Sequence, residues 1–383
     1  MDRLLSTEEA ARRLGVKVST LYAYVSRGLL TSQRDPERRG SLFDLADIEA
    51  LAARSRGGRQ TATRLATVTT AVTQLDLERG PLYRGRPATE LAAGARFEDV
   101  AELLWETGGE DGDWTAPSLG RCALTHTFDR MRWALVLCGA TDPLRSDTRP
   151  ESVARTARRI TAALTDVVGP APPAEPAQAS VAARLSARLA PAAATVPAAA
   201  VNAALVLLAD HELATSTLAV RVAASVRADP YDALLAGLAT LAGPLHGGAS
   251  QQAYELLVMA ERDGAAPALD HALRETGRAP GFGHTVYKNG DPRFPALLAL
   301  AEPLLGDERR ALVHEMIALA AAHDIPQANC DLALAALSWG TGMPPDSGRT
   351  LFAVARIAGW AAHYMEELGE RPLRFRARAV YSA

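Results

Sequence analysis

Apolar residues recur at helical spacing along most of this chain, and convincing strict alternation is missing. Periods near 3.6 residues cover 97–106, 181–189, 201–213, 218–227, 231–242, 251–261, 309–322 and 351–368, so the body is expected to be mainly α. The stretches 201–213 and 231–242 are apolar on nearly every face. Helices of that kind are buried in a large core or at a subunit interface, and their number predicts an obligate homodimer. A Pro/Ala-rich run over 169–179 reads as an exposed loop.

The first 56 residues keep a different rhythm. Ser6-Thr7-Glu8-Glu9 is a capping box opening a helix through Leu14, with Ala10, Ala11 and Leu14 on its inner face. Gly15 breaks it, and a second helix runs from Val18 through Leu21, Tyr22 and Val25 to Gly28. Two helices joined by a short Gly-containing turn have the spacing of a helix-turn-helix. The polar, arginine-rich stretch 31–41 fits a wing, and Leu42-Phe43 with a helix over 44–53 would close the unit. Ser-x-x-Glu-Ala-Ala-x-x-Leu-Gly-Val and the later Phe-x-x-x-Asp-Ile-Glu-Ala-Leu resemble the small winged domains of the MerR and excisionase type. That resemblance implies contacts to duplex DNA from Ser19, Thr20, Tyr22 and Arg27, with Arg34, Arg38 and Arg39 reaching phosphates. A helical cap that touches no DNA fits the same pattern. The polar run 54–60 marks the boundary, giving a head over 1–56, a linker over 57–64 and a body over 65–383.

Composition adds limits. An apolar fraction of 48% with 22% charged residues excludes disorder across the chain. Net charge is −3, unevenly spread. Residues 1–60 hold eleven Arg/Lys against eight Asp/Glu, or +3, leaving −6 for the remainder. A basic arm on an acidic body fits a DNA-contacting head. Three cysteines, Cys122, Cys138 and Cys330, sit at no metal-ligand spacing, so reduced thiols, a cytoplasmic setting and no metal are expected. The start lacks the apolar core of a signal peptide, and the most apolar stretch, 198–209, is too short to span a bilayer.

Three segments carry candidate chemistry. His246 lies in Gly-Pro-Leu-His-Gly-Gly-Ala, where Pro244 ends a helix and the glycines let other groups come close. A helix from Ala249 would turn its positive end toward whatever His246 contacts. His284 lies in Gly-Phe-Gly-His-Thr-Val-Tyr-Lys, with Lys288 and Arg293 following; such a loop can hold an anion, with Arg293 gripping a carboxylate in a fork. Asp331, in Asn-Cys-Asp, places one carboxylate in an apolar stretch, where desolvation favours its neutral form. Plain structural readings exist for each: a satisfied histidine at a turn, a solvated basic loop, and a helix N-cap.

Taken together, Gly-Pro-Leu-His-Gly-Gly-Ala, Gly-Phe-Gly-His-x-Val-Tyr-Lys-x-x-Asp-Pro-Arg and Asn-x-Asp, in this order, resemble the citrate synthase family. Asp210-His211-Glu212-Leu213 with Thr215-Ser216-Thr217, the segment 82–85 with 97–104, the run 351–360 and the tail 376–379 extend the resemblance over roughly 65–383. It implies a two-domain, mainly helical fold with a small domain near 248–342, preceded by the winged head. It also implies condensation of acetyl-CoA with oxaloacetate, with no bound cofactor and the acyl-CoA as co-substrate. On this reading Asp331 is the general base, His246 holds the thioester oxygen and His284 protonates the oxaloacetate carbonyl. His211, Arg293, Arg356 and Arg376 match the dicarboxylate ligands, Arg376 coming from the other subunit, and Lys288 matches a CoA contact. The chain departs from the family pattern at Thr285, Ser250, Ala377 and the small residues after Asp331. These bear on acyl choice and CoA affinity, so propionyl-CoA is the alternative substrate. A DNA-binding regulator that uses the body as a metabolite sensor is the alternative class.

Overall fold

The computed structural model describes residues 4–14, 16–26, 30–34, 41–44, 47–48, 68–108, 112–169, 179–191 and 196–375. The chain divides into two compact units, 1–68 and 69–383.

In the first unit Thr7–Leu14 and Val18–Ser26 are helices. The capping box forms: Ser6 N–H donates to the Glu9 carboxylate at 3.2 Å and Glu9 N–H to Ser6 Oγ at 3.4 Å. Leu4–Ser6 pairs antiparallel with Ser41–Asp44, which also pairs with Gln33–Arg34, so the central strand closes a three-stranded sheet. Leu5, Ala10, Ala11, Leu21, Leu30, Phe43 and Ile48 form its own core. Of the expected helix over 44–53, only 47–48 lie among the described helical residues.

The second unit is built on helices, as their apolar periods require. Ser347–Leu368 is its longest and is buried along almost its whole length, with Trp360 among the residues fully enclosed. Around it lie Phe97–Trp105, Pro150–Asp166, Ala198–Leu208, Thr215–Ser225, Pro230–Leu241 and Ala249–Asp263. Single glycines bring the long helix close to its neighbours. A Cβ on Gly359 would sit 2.1 Å from Asp210 Oδ1, so only glycine allows that approach, although mid-helix glycine costs about 1 kcal/mol.

Two expectations need correction. The apolar stretch 201–213 does not remain helical to its end: the helix closes at Leu208, where Tyr83 Oη accepts from the Asp210 amide at 3.3 Å and shares its proton between the carbonyls of Val206 (3.0 Å) and Asp210 (3.2 Å). Asp210 and His211 therefore sit in a turn. Strands also exist in the body. Thr73–Asp76, Gly80–Tyr83 and Arg86–Pro87 form a small antiparallel sheet, too short to show a period of two. The loop expected over 169–179 falls largely on 170–178, outside the described residues. No helix among the described residues is long and apolar enough to cross a membrane.

Candidate active site

His246 stands on the turn between two helices. Gly243, Pro244 and Leu245 end the Pro230–Leu241 run, and Ala249–Asp263 begins two residues after Gly247. A side chain on Gly248 would meet the Pro244 backbone at 2.8 Å, which explains the second glycine of the motif. His246 Nε2 lies 2.8 Å from Ser216 Oγ, and its ring meets Phe352 edge-on at 5.6 Å. Burial, then the nearby Arg356 charge, lowers its pKa to about 4, so the imidazole is neutral at pH 7.

His284 is held by its own loop. Gly281 and Gly283 have φ of 84° and 79°, a region that favours glycine. The amides of Val286 and Tyr287 donate to Nδ1 at 3.1 and 3.2 Å. With Nδ1 accepting, the proton of the neutral ring belongs on Nε2. That nitrogen faces Arg293 Nη2 at 3.4 Å, so two donors converge on one spot and invite an oxygen acceptor between them. Burial and Arg293 lower the pKa of His284 to about 4.

Asn329 ties this loop to the carboxylate. Its amide donates to the Gly283 carbonyl at 2.6 Å, while its Oδ1 caps the next helix by accepting from Asp331 N–H at 2.9 Å. Asn329, not Asp331, is thus the N-cap of Cys330–Thr341, which removes the plain reading of Asp331. Asp331 lies in the first turn, partly exposed yet surrounded by protein. Desolvation raises its pKa to about 6 against the opposing pull of Arg293.

Two guanidiniums complete the cluster. Arg293 is 2% exposed and is clamped by Asp291, with Nε and Nη2 each 2.9 Å from its carboxylate oxygens. Burial works against its charge, but Asp291 holds its pKa well above the ordinary value. Arg356 is 1% exposed; Nε donates to the Leu208 carbonyl at 2.9 Å, and Nη1 and Nη2 have no partner. Burial lowers its pKa from the usual guanidinium range. Its guanidinium lies 4.5 Å over the Phe352 ring, which the His246 ring also meets. His211 is buried with Nε2 unpartnered, its ring 5.2 Å from that of His284 and 5.5 Å from that of Tyr287. Burial pushes its pKa well down, and Arg293 and Arg356 add to this.

Orphan buried nitrogens on Arg356 and His211, beside the fixed cation of Arg293, describe a site suited to an anion with more than one negative group. Among the described residues no cluster of His, Cys, Asp or Glu is placed to hold a metal. Lys288 is exposed and donates from Nζ to the His284 carbonyl at 3.1 Å. Arg376 lies outside the described residues.

A family profile described as the citrate synthase C-terminal domain matches residues 118–378. This chain belongs to the citrate synthase family. A helix-turn-helix domain profile matches residues 4–56. A citrate synthase from Mycolicibacterium smegmatis is 31% identical over 342 residues, covering 80% of this chain and 90% of that protein. A 2-methylcitrate synthase from Corynebacterium glutamicum is 34% identical over 174 residues, covering 44% of this chain and 46% of that one. The chain spans about half the length of several of the curated relatives it matches. Among solved structures, the ternary complex of citrate synthase from Thermoplasma acidophilum with carboxymethyl coenzyme A and oxaloacetate aligns with a TM-score of 0.67. Its identity is 25%, over 84% of this chain and 94% of that one.

In this citrate synthase family member the structure adds Ser216 as a partner of His246, Asp291 as the clamp on Arg293, and Phe352 and Tyr287 as walls. Asp291 carried a signal: a carboxylate two residues before a site arginine. Ser216 and Phe352 carried none, because their partners are 30 and 106 positions away in the chain.

Proposed function

We propose that this chain condenses an acyl-CoA with oxaloacetate to give a citrate-type product and free CoA. The observation that carries this reading is the pairing of a base near neutrality, Asp331, with two neutral imidazoles and two buried arginines. Asp331, its pKa raised to about 6, removes a proton from the thioester's α-carbon. Ser216 donates to His246 Nε2, leaving Nδ1–H to hold the thioester oxygen as the enol develops. The new carbon–carbon bond forms at the keto carbon of oxaloacetate, whose oxygen takes the proton from His284 Nε2. His211, Arg293, Arg356 and Arg376 grip the two carboxylates, Arg376 reaching in from the partner subunit of a homodimer. Lys288 contributes to CoA binding. Hydrolysis of the thioester then releases CoA.

Thiol release from acetyl-CoA and propionyl-CoA with oxaloacetate tests the reading. We expect turnover with acetyl-CoA. Faster turnover with propionyl-CoA would make the enzyme a 2-methylcitrate synthase, which the small side chains of Ala333 and Ala335 after the base and the 2-methylcitrate synthase relative support. Absence of thiol from either would overturn catalysis.

The head supports a second activity on the same chain. Its profile match and the exposed Ser19 and Tyr22, with Thr20 half-buried, fit duplex DNA binding, although Tyr22 Oη already lies 3.5 Å from Thr7 Oγ1. The side chain of Arg34 and residues Arg27, Arg38 and Arg39 lie outside the described set. With about three phosphates neutralised, affinity for a mixed-sequence duplex should fall roughly 40-fold between 50 and 200 mM salt. No binding at the lower salt in a fluorescence-anisotropy titration would assign the head to a structural cap.

A further inference from the structure

Behind His211 lies a chain of buried ionisable groups that no step above uses. Asp210, Arg221, His363 and Glu367 are each 0% exposed. Asp210 Oδ2 accepts from the Glu212 amide at 3.0 Å and lies 3.2 Å from His363 Nε2. Arg221 Nη1 lies 2.9 Å from His363 Nδ1, and Arg221 Nε donates to Glu367 at 2.8 Å. Arg374 Nε donates to the other Glu367 oxygen at 2.7 Å. A guanidinium can only donate, so Nδ1 accepts and Nε2–H donates to Asp210. Every link then has one donor and one acceptor, and the direction of each bond is fixed.

Such a chain is a poor way to gain stability. Burying several ionisable groups costs desolvation that well-packed apolar side chains avoid. Its position suggests another use. It ends on the turn that carries His211, where Glu212 takes a φ of 51°, a conformation that side-chain-bearing residues adopt only when surroundings impose it. His211 itself has a buried Nε2 with no partner, so the ring's aim is set by the turn beneath it and by its contacts with His284 and Tyr287. Tyr83 fixes the Asp210 carbonyl from one side, and the missing side chain of Gly359 leaves room for Asp210 Oδ1 on the other.

We infer that Arg221, His363 and Asp210 form a positioning relay that locks the Asp210–Glu212 turn and thereby aims His211 at oxaloacetate. On this reading none of the three touches the substrate. The inference rests on the condensation reading above for its ligand, but the geometry of the turn is independent of it.

Two substitutions separate positioning from packing. His363→Phe keeps a flat ring of similar size but removes both nitrogens. His363→Gln restores one acceptor for Arg221 and one donor for Asp210. In His363→Phe, peptide-resolved hydrogen exchange should show the Glu212 amide exchanging at least tenfold faster. KM for oxaloacetate should rise about tenfold, with kcat at saturation and KM for the acyl-CoA each within about twofold of wild type. His363→Gln should return both the exchange rate and the oxaloacetate KM to within about threefold. If His363→Phe does not fold, the same comparison is made between wild type and His363→Gln against Asp210→Ala. An unchanged exchange rate at Glu212 in a folded variant overturns the relay. So does a rise shared equally by both KM values, or a Gln variant as impaired as Phe. Should wild type release no thiol at all, the condensation reading fails, while hydrogen exchange at the turn still decides the relay.

Discussion

Asp331→Asn is expected to lower thiol release by a factor of about 10²–10⁴, the range for loss of a general base, while making the protein harder to melt above pH 6. The two effects share one cause. Burial raises the pKa of Asp331 from the ordinary 3.8 to about 6, which poises it as a base and costs stability. Below pH 3.8 both folded and unfolded chains hold the proton, so nothing is lost. Between 3.8 and about 6 the unfolded chain ionises first and the folded state loses ground; above 6 the full penalty is present. With allowance for partial exposure, the penalty is on the order of 2 kcal/mol. The isosteric amide avoids it, so melting at pH 8 should rise by roughly 2–4 °C and this gain should vanish at pH 4. Wild-type activity should correspondingly fall as the pH drops through about 6. Equal melting of the two proteins at pH 8 would show that Asp331 titrates as an ordinary surface carboxylate.

Arg356→Met should abolish tight oxaloacetate binding without abolishing the fold. Nη1 and Nη2 are buried and unpartnered, so a substrate carboxylate there gains a charge-assisted fork that water does not compete for. Loss of one partner of a buried charge pair costs about 2–5 kcal/mol, which is a KM for oxaloacetate raised by at least about 30-fold. Ligand-induced stabilisation gives a second readout. At a concentration near 100 times the wild-type Kd, oxaloacetate should stabilise the folded protein by about 2.7 kcal/mol. If Kd rises 100-fold, the same concentration contributes about 0.4 kcal/mol by the same relation, and the thermal shift should nearly disappear. A full thermal shift in the variant would move the carboxylate site elsewhere.

Much of the site was legible because its chemistry is local. His246, His284 and Arg293 sit in short segments dense in glycine and proline, and those residues announce a turn in which a side chain is deliberately presented. Asp331 was legible as the one carboxylate in an apolar run. The partners were not. Ser216 and Phe352 reach His246 only because the separate helices that carry them pack beside its turn. Glu367 and Arg221 look like ordinary surface charges on periodic helices, yet both are fully buried.

By itself the sequence determined the helical class, the compact head with its capping box, and the identity and order of the candidate side chains. These follow from spacing, capping and residue chemistry, which act within a few positions. Tertiary structure alone decided where the helix before His211 stops, which tautomer His284 adopts, and which arginine donors stay free. Tyr83 meets the end of that helix from more than 120 residues away, two backbone amides choose the proton position on His284, and Asp291 occupies Arg293 while leaving Arg356 open. Each depends on desolvation and on which donor meets which acceptor once the helices are packed, and neither quantity exists until the chain has folded.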